Sequence, residues 1–337
     1  MSARRVKVAT VQAEPAWLDA AAGVDLTLHY VSEAAAAGAD LVAFPEVWIP
    51  GYPHFLWLGP VASQMPFIAR YHEASLEVES PEMKRIREAA RRHGIAVLLG
   101  FSERSGRSLY IAQTLIGSDG EVLLHRRKLK PTHVERSLFG EGDGSDLQVV
   151  DSPLGRIGAL NCAEHLQPLS KYAMYAQNEE IHIASWPCFG LYRDVAYAMS
   201  SDANMAATQV YALEGGCYAV AATQVISEAG IKIFATTDEQ RALLQPGGGC
   251  SRVYGPDGAR LTGELPETQE GLVFAELDLA LIALAKNAFD PAGHYARADA
   301  TQLVHDRRPR RPVCETGELT PRADVIATLD EPSDRDA

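Results

Sequence analysis

Short apolar runs alternate along this chain with stretches whose apolar residues recur at helical spacing. Residues 6–12 predict a strand, 18–37 a helix ending at Gly38, and 40–44 a second strand that delivers Pro45 and Glu46. The following VWIPGYPHFLW mixes prolines and glycine with aromatics, which forbids a regular helix and predicts a rigid aromatic loop. Ser80-Pro81-Glu82 opens a helix: Ser80 can cap, Pro81 suits the first helical position, and Arg91, Arg92 and His93 precede Gly94. Residues 95–101 read as a strand buried on both faces. Residues 110–116 and 121–125 flank Gly-Ser-Asp-Gly, a hairpin signal that runs into RRKLKPTHVER.

The stretch 156–187 organises the rest. Its apolar run 157–160 ends at Asn161 and Cys162, a helical pattern follows through Leu169, Tyr172, Ala173 and Ala176, and residues 181–186 form another strand-like run. That order is the βαβ unit of a parallel sheet, with Cys162 where a strand ends and a helix is about to begin. A helix N-terminus there would lower the thiol pKa. Residues 193–213 carry a helical pattern, 217–223 and 250–254 are strand-like, and Gly-Pro-Asp-Gly at 255–258 turns the chain toward 272–277. The alternation predicts an α/β protein with a parallel or mixed sheet in one domain, residues 1–304. A tail from His305 to 337, basic then acidic and proline-bearing, is expected to be flexible or to make subunit contacts.

Composition narrows the function. Lys and Arg total 31 against 44 Asp and Glu, a net charge of −13, which argues against nucleic acid or an anionic membrane as the main partner. The five cysteines, Cys162, Cys188, Cys217, Cys250 and Cys314, are odd in number and scattered, so neither a disulfide framework nor a zinc knuckle is suggested. Lys7, Gln12 and Glu14 interrupt any signal-peptide core, and no apolar run approaches the roughly 18 residues of a membrane span. A cytoplasmic protein is expected. Gly247–Gly249 lacks the Lys-Ser/Thr of a phosphate loop, EGDGSD at 141–146 lacks calcium-loop spacing, and no metal cluster or cofactor motif is evident.

Glu46, Lys128 and Cys162 each follow an apolar strand or a hairpin. A carboxylate, an ammonium and a thiol suffice for attack on an electrophilic carbon: base, charge stabiliser and nucleophile. Each also has a plainer reading. Buried cysteines are mostly inert, Glu46 could be a loop acid or a cap, and RRKLK could be a solvated basic face. His165, three residues past Cys162, reads as structural or pocket-lining rather than as the cysteine's base.

Three segments together resemble nitrilases of the carbon–nitrogen hydrolase superfamily: FPEVWIPGYP around Glu46, HRRKLKPTHVER around Lys128, and GALNCAEHLQPLSKYAMYAQNEEIHIASWP around Cys162. FDPAGHYAR near His294 adds to a similarity running from about Val6 to Thr301. The resemblance, to nitrilases of the bacterial aromatic and arylacetonitrilase kind, implies a four-layer αββα sandwich and a Glu46–Lys128–Cys162 triad. It implies a supporting Glu135, with Tyr52, Ala163, His165, Trp186 and Pro187 around the substrate. It implies no cofactor or metal, and a homodimer growing into a larger oligomer or spiral. The expected reaction is hydrolysis of an organic nitrile to acid and ammonia, with some amide. An amidase, a cyanide-hydrolysing enzyme and a catalytically silent scaffold are the alternatives. One departure stands out: Cys162-Ala163-Glu164 replaces the family's Cys-Trp-Glu, which opens volume beside the nucleophile and points to aryl or arylacetonitriles.

Overall fold

A computed structural model describes residues 4–310 and 313. The strands are β1 (Arg5–Ala13), β2 (Leu41–Ala43), β3 (Ala96–Ser105), β4 (Ser108–Ile116), β5 (Val122–Arg127), β6 (Phe139–Gly140), β7 (Val149–Ser152), β8 (Gly155–Asn161), β9 (Ile181–Trp186), β10 (Tyr218–Gln224), β11 (Arg252–Tyr254) and β12 (Gly271–Asp278). The helices are α1 (Ala20–Ala36), α2 (Val61–Glu73), α3 (Pro81–His93), α4 (Pro168–Tyr175), α5 (Ser201–Gly215), α6 (Glu228–Phe234), α7 (Asp238–Leu243) and α8 (Leu281–Ala288). None of these helices is long and apolar enough to cross a membrane.

The strands follow one hydrogen-bonded path, β5-β4-β3-β2-β1-β10-β9-β8-β7, with β12 beside β1, β11 beside β10 and β6 beside β4. The path is two half-sheets joined at a seam. β1 pairs with β2 through Val8, Ala9 and Thr10, but reaches β10 only at Gln12 and Ala13. The halves face each other across one core, in which Val8, Leu41 and Leu98 from the first meet Ile157, Ile183 and Val220 from the second. Strand alternation sends Val42, Phe44 and Val97 to the opposite face, under Val31 of α1 and Ile86 of α3. Leu160 on the other half-sheet packs under Met174 of α4 and Tyr211 of α5. The layers are therefore helix, sheet, sheet, helix, as the sequence resemblance implied.

Local chemistry explains the element ends. Ser80 accepts from the Met83 N–H at 3.2 Å, and Gly94 closes α3 at φ +64°. The Gly117–Gly120 turn joins β4 to β5 as expected. The helix expected from residue 193 instead starts at Ser201, where Ser200 caps it by accepting from the Ala203 N–H at 3.2 Å. Residues 193–200 before it are irregular apart from one short 3₁₀ turn, Tyr197–Met199. α2, α6, α7 and α8 were not anticipated; α2 carries Pro66 inside it, and α6 and α7 are short. β12 pairs with β1 rather than with β11, which precedes it. Of the expected tail, His305 lies against the Gly144 carbonyl at 2.7 Å and the Arg310 N–H donates to Asp143 at 2.6 Å. Residues 311, 312 and 314–337, Cys314 among them, lie outside the described residues.

Candidate active site

Cys162 follows directly on β8, which lies parallel to β9 through Asn161 and Ser185. Its φ of +46° is in the left-handed region, costly for a side chain with a Cβ and tolerated where surrounding structure enforces it. Glu164 enforces it. Its carboxylate accepts from the Asn161 N–H at 2.8 Å and the Leu129 N–H at 2.9 Å, and takes both ends of the Arg126 guanidinium at 2.7 and 2.9 Å. One buried ion pair thus ties the cysteine turn to the segment that carries Lys128.

The expected lowering of the thiol pKa by a helix N-terminus is not what the structure gives. Cys162 begins a 3₁₀ turn, Cys162–Leu166, and α4 starts only at Pro168. Burial pushes the Cys162 thiol well above its ordinary range. The Glu46 carboxylate adds to this, while Lys128 and the Ala163 N–H pull the other way. The thiol rests protonated and needs a base.

Glu46 is the carboxylate whose charge acts most strongly on this thiol. Its N–H donates to the Trp186 carbonyl at 3.3 Å, and its own carbonyl accepts from Gln224 at 2.6 Å. Gly100 on β3 leaves room for this loop, because a Cβ there would collide with the Pro45 carbonyl oxygen. Lys128 is fixed by its backbone: its N–H donates to the Ile111 carbonyl at 2.8 Å, and its carbonyl accepts from Gly142 at 2.9 Å. Its ammonium donates to Glu46 Oε1 at 2.8 Å and to Glu135 Oε2 at 2.9 Å. All three side chains are shielded from solvent. Burial raises the Glu46 pKa to about 8 against the opposing pull of Lys128. Burial would lower that of Lys128, but Glu135 and Glu46 overcome it and hold the ammonium well above the ordinary lysine value. Glu135 also accepts from the Tyr52 hydroxyl at 2.6 Å and from the Thr132 N–H at 2.6 Å, and Tyr52 accepts from the Trp57 indole at 3.1 Å. Glu46 Oε2 has no hydrogen-bond partner among the described residues.

A cavity of about 520 Å³ reaches Cys162 and Glu135, while Glu46 and Lys128 lie behind them and are not part of its lining. Tyr52, Glu135, Cys162, Ala163 and Pro187 line it, with apolar walls from Trp57, Leu191, Tyr192, Val195 and Met199. His165 and Trp186, expected at the substrate, are not part of the lining. Trp186 shares its strand face with His182 and Ala184, toward the α5 layer, and stacks on His165 with centroids 4.9 Å apart. Arg126 and Glu164 were missed. The signal was present: Leu124, Arg126 and Lys128 are spaced by two along β5 and its continuation, and all three are buried.

Residues 7–287 match the carbon–nitrogen hydrolase family. The chain belongs to that family. It is 51% identical over 324 residues, 96% of each chain, to a nitrilase of Pseudomonas syringae pv. syringae, strain B728a. It is also 51% identical to an aliphatic nitrilase of Rhodococcus rhodochrous, over 91% of this chain and 84% of that one. A carbon–nitrogen hydrolase from Helicobacter pylori G27 shares the fold at a TM-score of 0.70 with 17% identity, covering 88% of this chain and 96% of that one.

Replacing the buried cation tests the cluster. Lys128→Met leaves two buried carboxylates facing each other and should lower unfolding free energy by about 3–5 kcal/mol, read by urea denaturation. A loss under about 1 kcal/mol would show that the cluster does not depend on the ammonium.

Proposed function

We propose that this hydrolase converts an organic nitrile and two waters to a carboxylic acid and ammonia. Cys162 sulfur attacks the nitrile carbon while Glu46 takes the thiol proton, and a covalent thioimidate forms. Lys128, with two of its three N–H groups held by Glu46 and Glu135, offers the third to the nitrogen on which charge develops. The Ala163 N–H adds a second donor. Water activated by a carboxylate adds to the thioimidate, ammonia leaves, and a second water cleaves the resulting thioester. Expulsion of the thiol before ammonia would release amide instead. The observation that carries this reading is the Glu46 carboxylate: one oxygen is anchored on Lys128, and the other, buried and without a partner among the described residues, is available to receive a proton.

The substrate we favour is an aryl or arylacetonitrile. The identity shared with an aliphatic nitrilase does not separate the classes. The cavity supports the bulkier one: its walls are aromatic and aliphatic, and Ala163 presents only a methyl beside the sulfur. We also read the exposed Leu169, Val210 and Leu213 on α4 and α5 as a face for a second copy in a homo-oligomer. The unpaired Cys162, Cys188, Cys217 and Cys250 fit a reducing cytoplasm.

Ammonia release from mandelonitrile and from propionitrile, each at saturation, tests function and class together. Faster turnover of mandelonitrile is expected, with no turnover by a folded Cys162→Ala variant. Residual turnover in that variant would overturn the nucleophile, and faster propionitrile turnover the substrate class. Because the base form of Glu46 is required and burial places its pKa at about 8, kcat/KM should fall about tenfold per pH unit well below that value. A flat profile from pH 5 to 8 would contradict the role of Glu46.

A further inference from the structure

Behind the nucleophile, on the side away from the cavity, runs a buried chain of hydrogen bonds that the reaction scheme leaves unused. His165 Nδ1 lies 2.8 Å from the Cys162 carbonyl oxygen. His165 Nε2 lies 2.9 Å from His182 Nε2, and His182 Nδ1 lies 2.8 Å from Glu179 Oε1. The Tyr211 hydroxyl donates to Glu179 Oε2 at 2.5 Å, and its ring lies face to face with His182 at 3.7 Å. All four side chains are buried. They come from the cysteine turn, β9, the segment before β9, and α5. Gly158 on β8 makes the room, since a Cβ there would collide with the Glu179 carboxylate.

The direction of the chain follows from its ends. A carbonyl oxygen only accepts, so His165 carries its proton on Nδ1. Burial, with His182 beside it, holds His165 far below the ordinary histidine range, so the ring is neutral and its Nε2 must accept. His182 therefore donates from Nε2, and one proton lies between its Nδ1 and Glu179. Tyr211 and His182 thus meet at the Glu179 carboxylate, and from His182 onward the donors point through His165 to the Cys162 carbonyl. That carbonyl belongs to the same peptide group as the Ala163 N–H, which faces the reacting sulfur. Hydrogen bonding at one end of a peptide group strengthens its donor at the other.

We propose that His165, His182, Glu179 and Tyr211 form a positioning network that polarises the Cys162–Ala163 peptide and holds its N–H as a donor to the transition state. It rests on the nitrilase reading. Its contribution is realised when negative charge builds on the substrate and not in the ground state, so it acts on kcat rather than KM.

The test compares kcat and KM for mandelonitrile with the rate of Cys162 alkylation by iodoacetamide, a displacement that develops no charge on a nitrile nitrogen. His165→Phe keeps a ring against Trp186 but removes the donor, and should lower kcat about tenfold with KM within about twofold and alkylation slowed clearly less than kcat. His165→Asn, which can place an N–H near the same carbonyl, should recover most of kcat. Tyr211→Phe keeps the stacked ring, removes one hydroxyl at the far end, and should lower kcat by about threefold, again with a smaller effect on alkylation. Unchanged kcat in both phenylalanine variants would overturn the proposal. So would a parallel fall of kcat and alkylation, which is the signature of a collapsed turn, or a failure of asparagine to rescue. If the wild-type chain alkylates at Cys162 yet turns over no nitrile, it is the nitrilase reading that fails.

Discussion

A single ammonium held between two carboxylates in the interior organises this molecule. Lys128 bonds both Glu46 and Glu135, and none of the three reaches solvent. Such an arrangement is stable only while it stays complete, because either carboxylate without the cation would be a buried unpaired charge. The same arrangement distinguishes one cysteine from the rest. Burial pushes Cys188 and Cys250 up to about 12 and Cys217 well above its ordinary range, and Cys162 is pushed up as well. Reactivity at Cys162 therefore does not come from an easily ionised thiol. In the proposed mechanism it comes from Glu46 as base, its pKa raised by burial to about 8, and from Lys128 as the cation for the charge that follows.

The fold brings these groups together by a simple device. Glu46 follows β2, Lys128 follows β5 and Cys162 follows β8, so each leaves the end of a strand where the sandwich opens. Open α/β sheets bind ligands at the carboxyl ends of their strands for this reason. The Arg126–Glu164 pair then locks two of the three segments together, and Gln224 at the end of β10 holds the third by its backbone. Position in the sandwich and hydrogen bonding of the backbone, rather than long flexible side chains, define the site.

Much of this was legible in the chain. β1, β3, β8 and β9 follow from apolar runs, and α3 from its Ser-Pro cap and Gly stop. Glu46, Lys128 and Cys162 stand out because they end apolar segments within motifs that resemble one family. What was not legible depends on contacts far apart in sequence. β12 pairs with β1 from the other end of the described chain, and no local pattern specifies that register. Arg126 read as part of a solvated basic run, although alternation along β5 puts it inside with Leu124. The histidines were subtler. His165 reads as structural or pocket-lining, and the structure gives the first; its partners His182, Glu179 and Tyr211 carry no motif, since a hydrogen-bond chain across four segments leaves no spacing to find.

The most direct measurement of the central claim is the site of covalent attachment during turnover. Acid quenching of the wild-type chain with mandelonitrile, followed by peptide mapping in a mass spectrometer, should find an acyl or thioimidate adduct on the Cys162 peptide. The Cys188, Cys217 and Cys250 peptides should be unmodified. Sustained nitrile hydrolysis with the adduct on another residue, or with the Cys162 peptide unmodified throughout, would contradict the account.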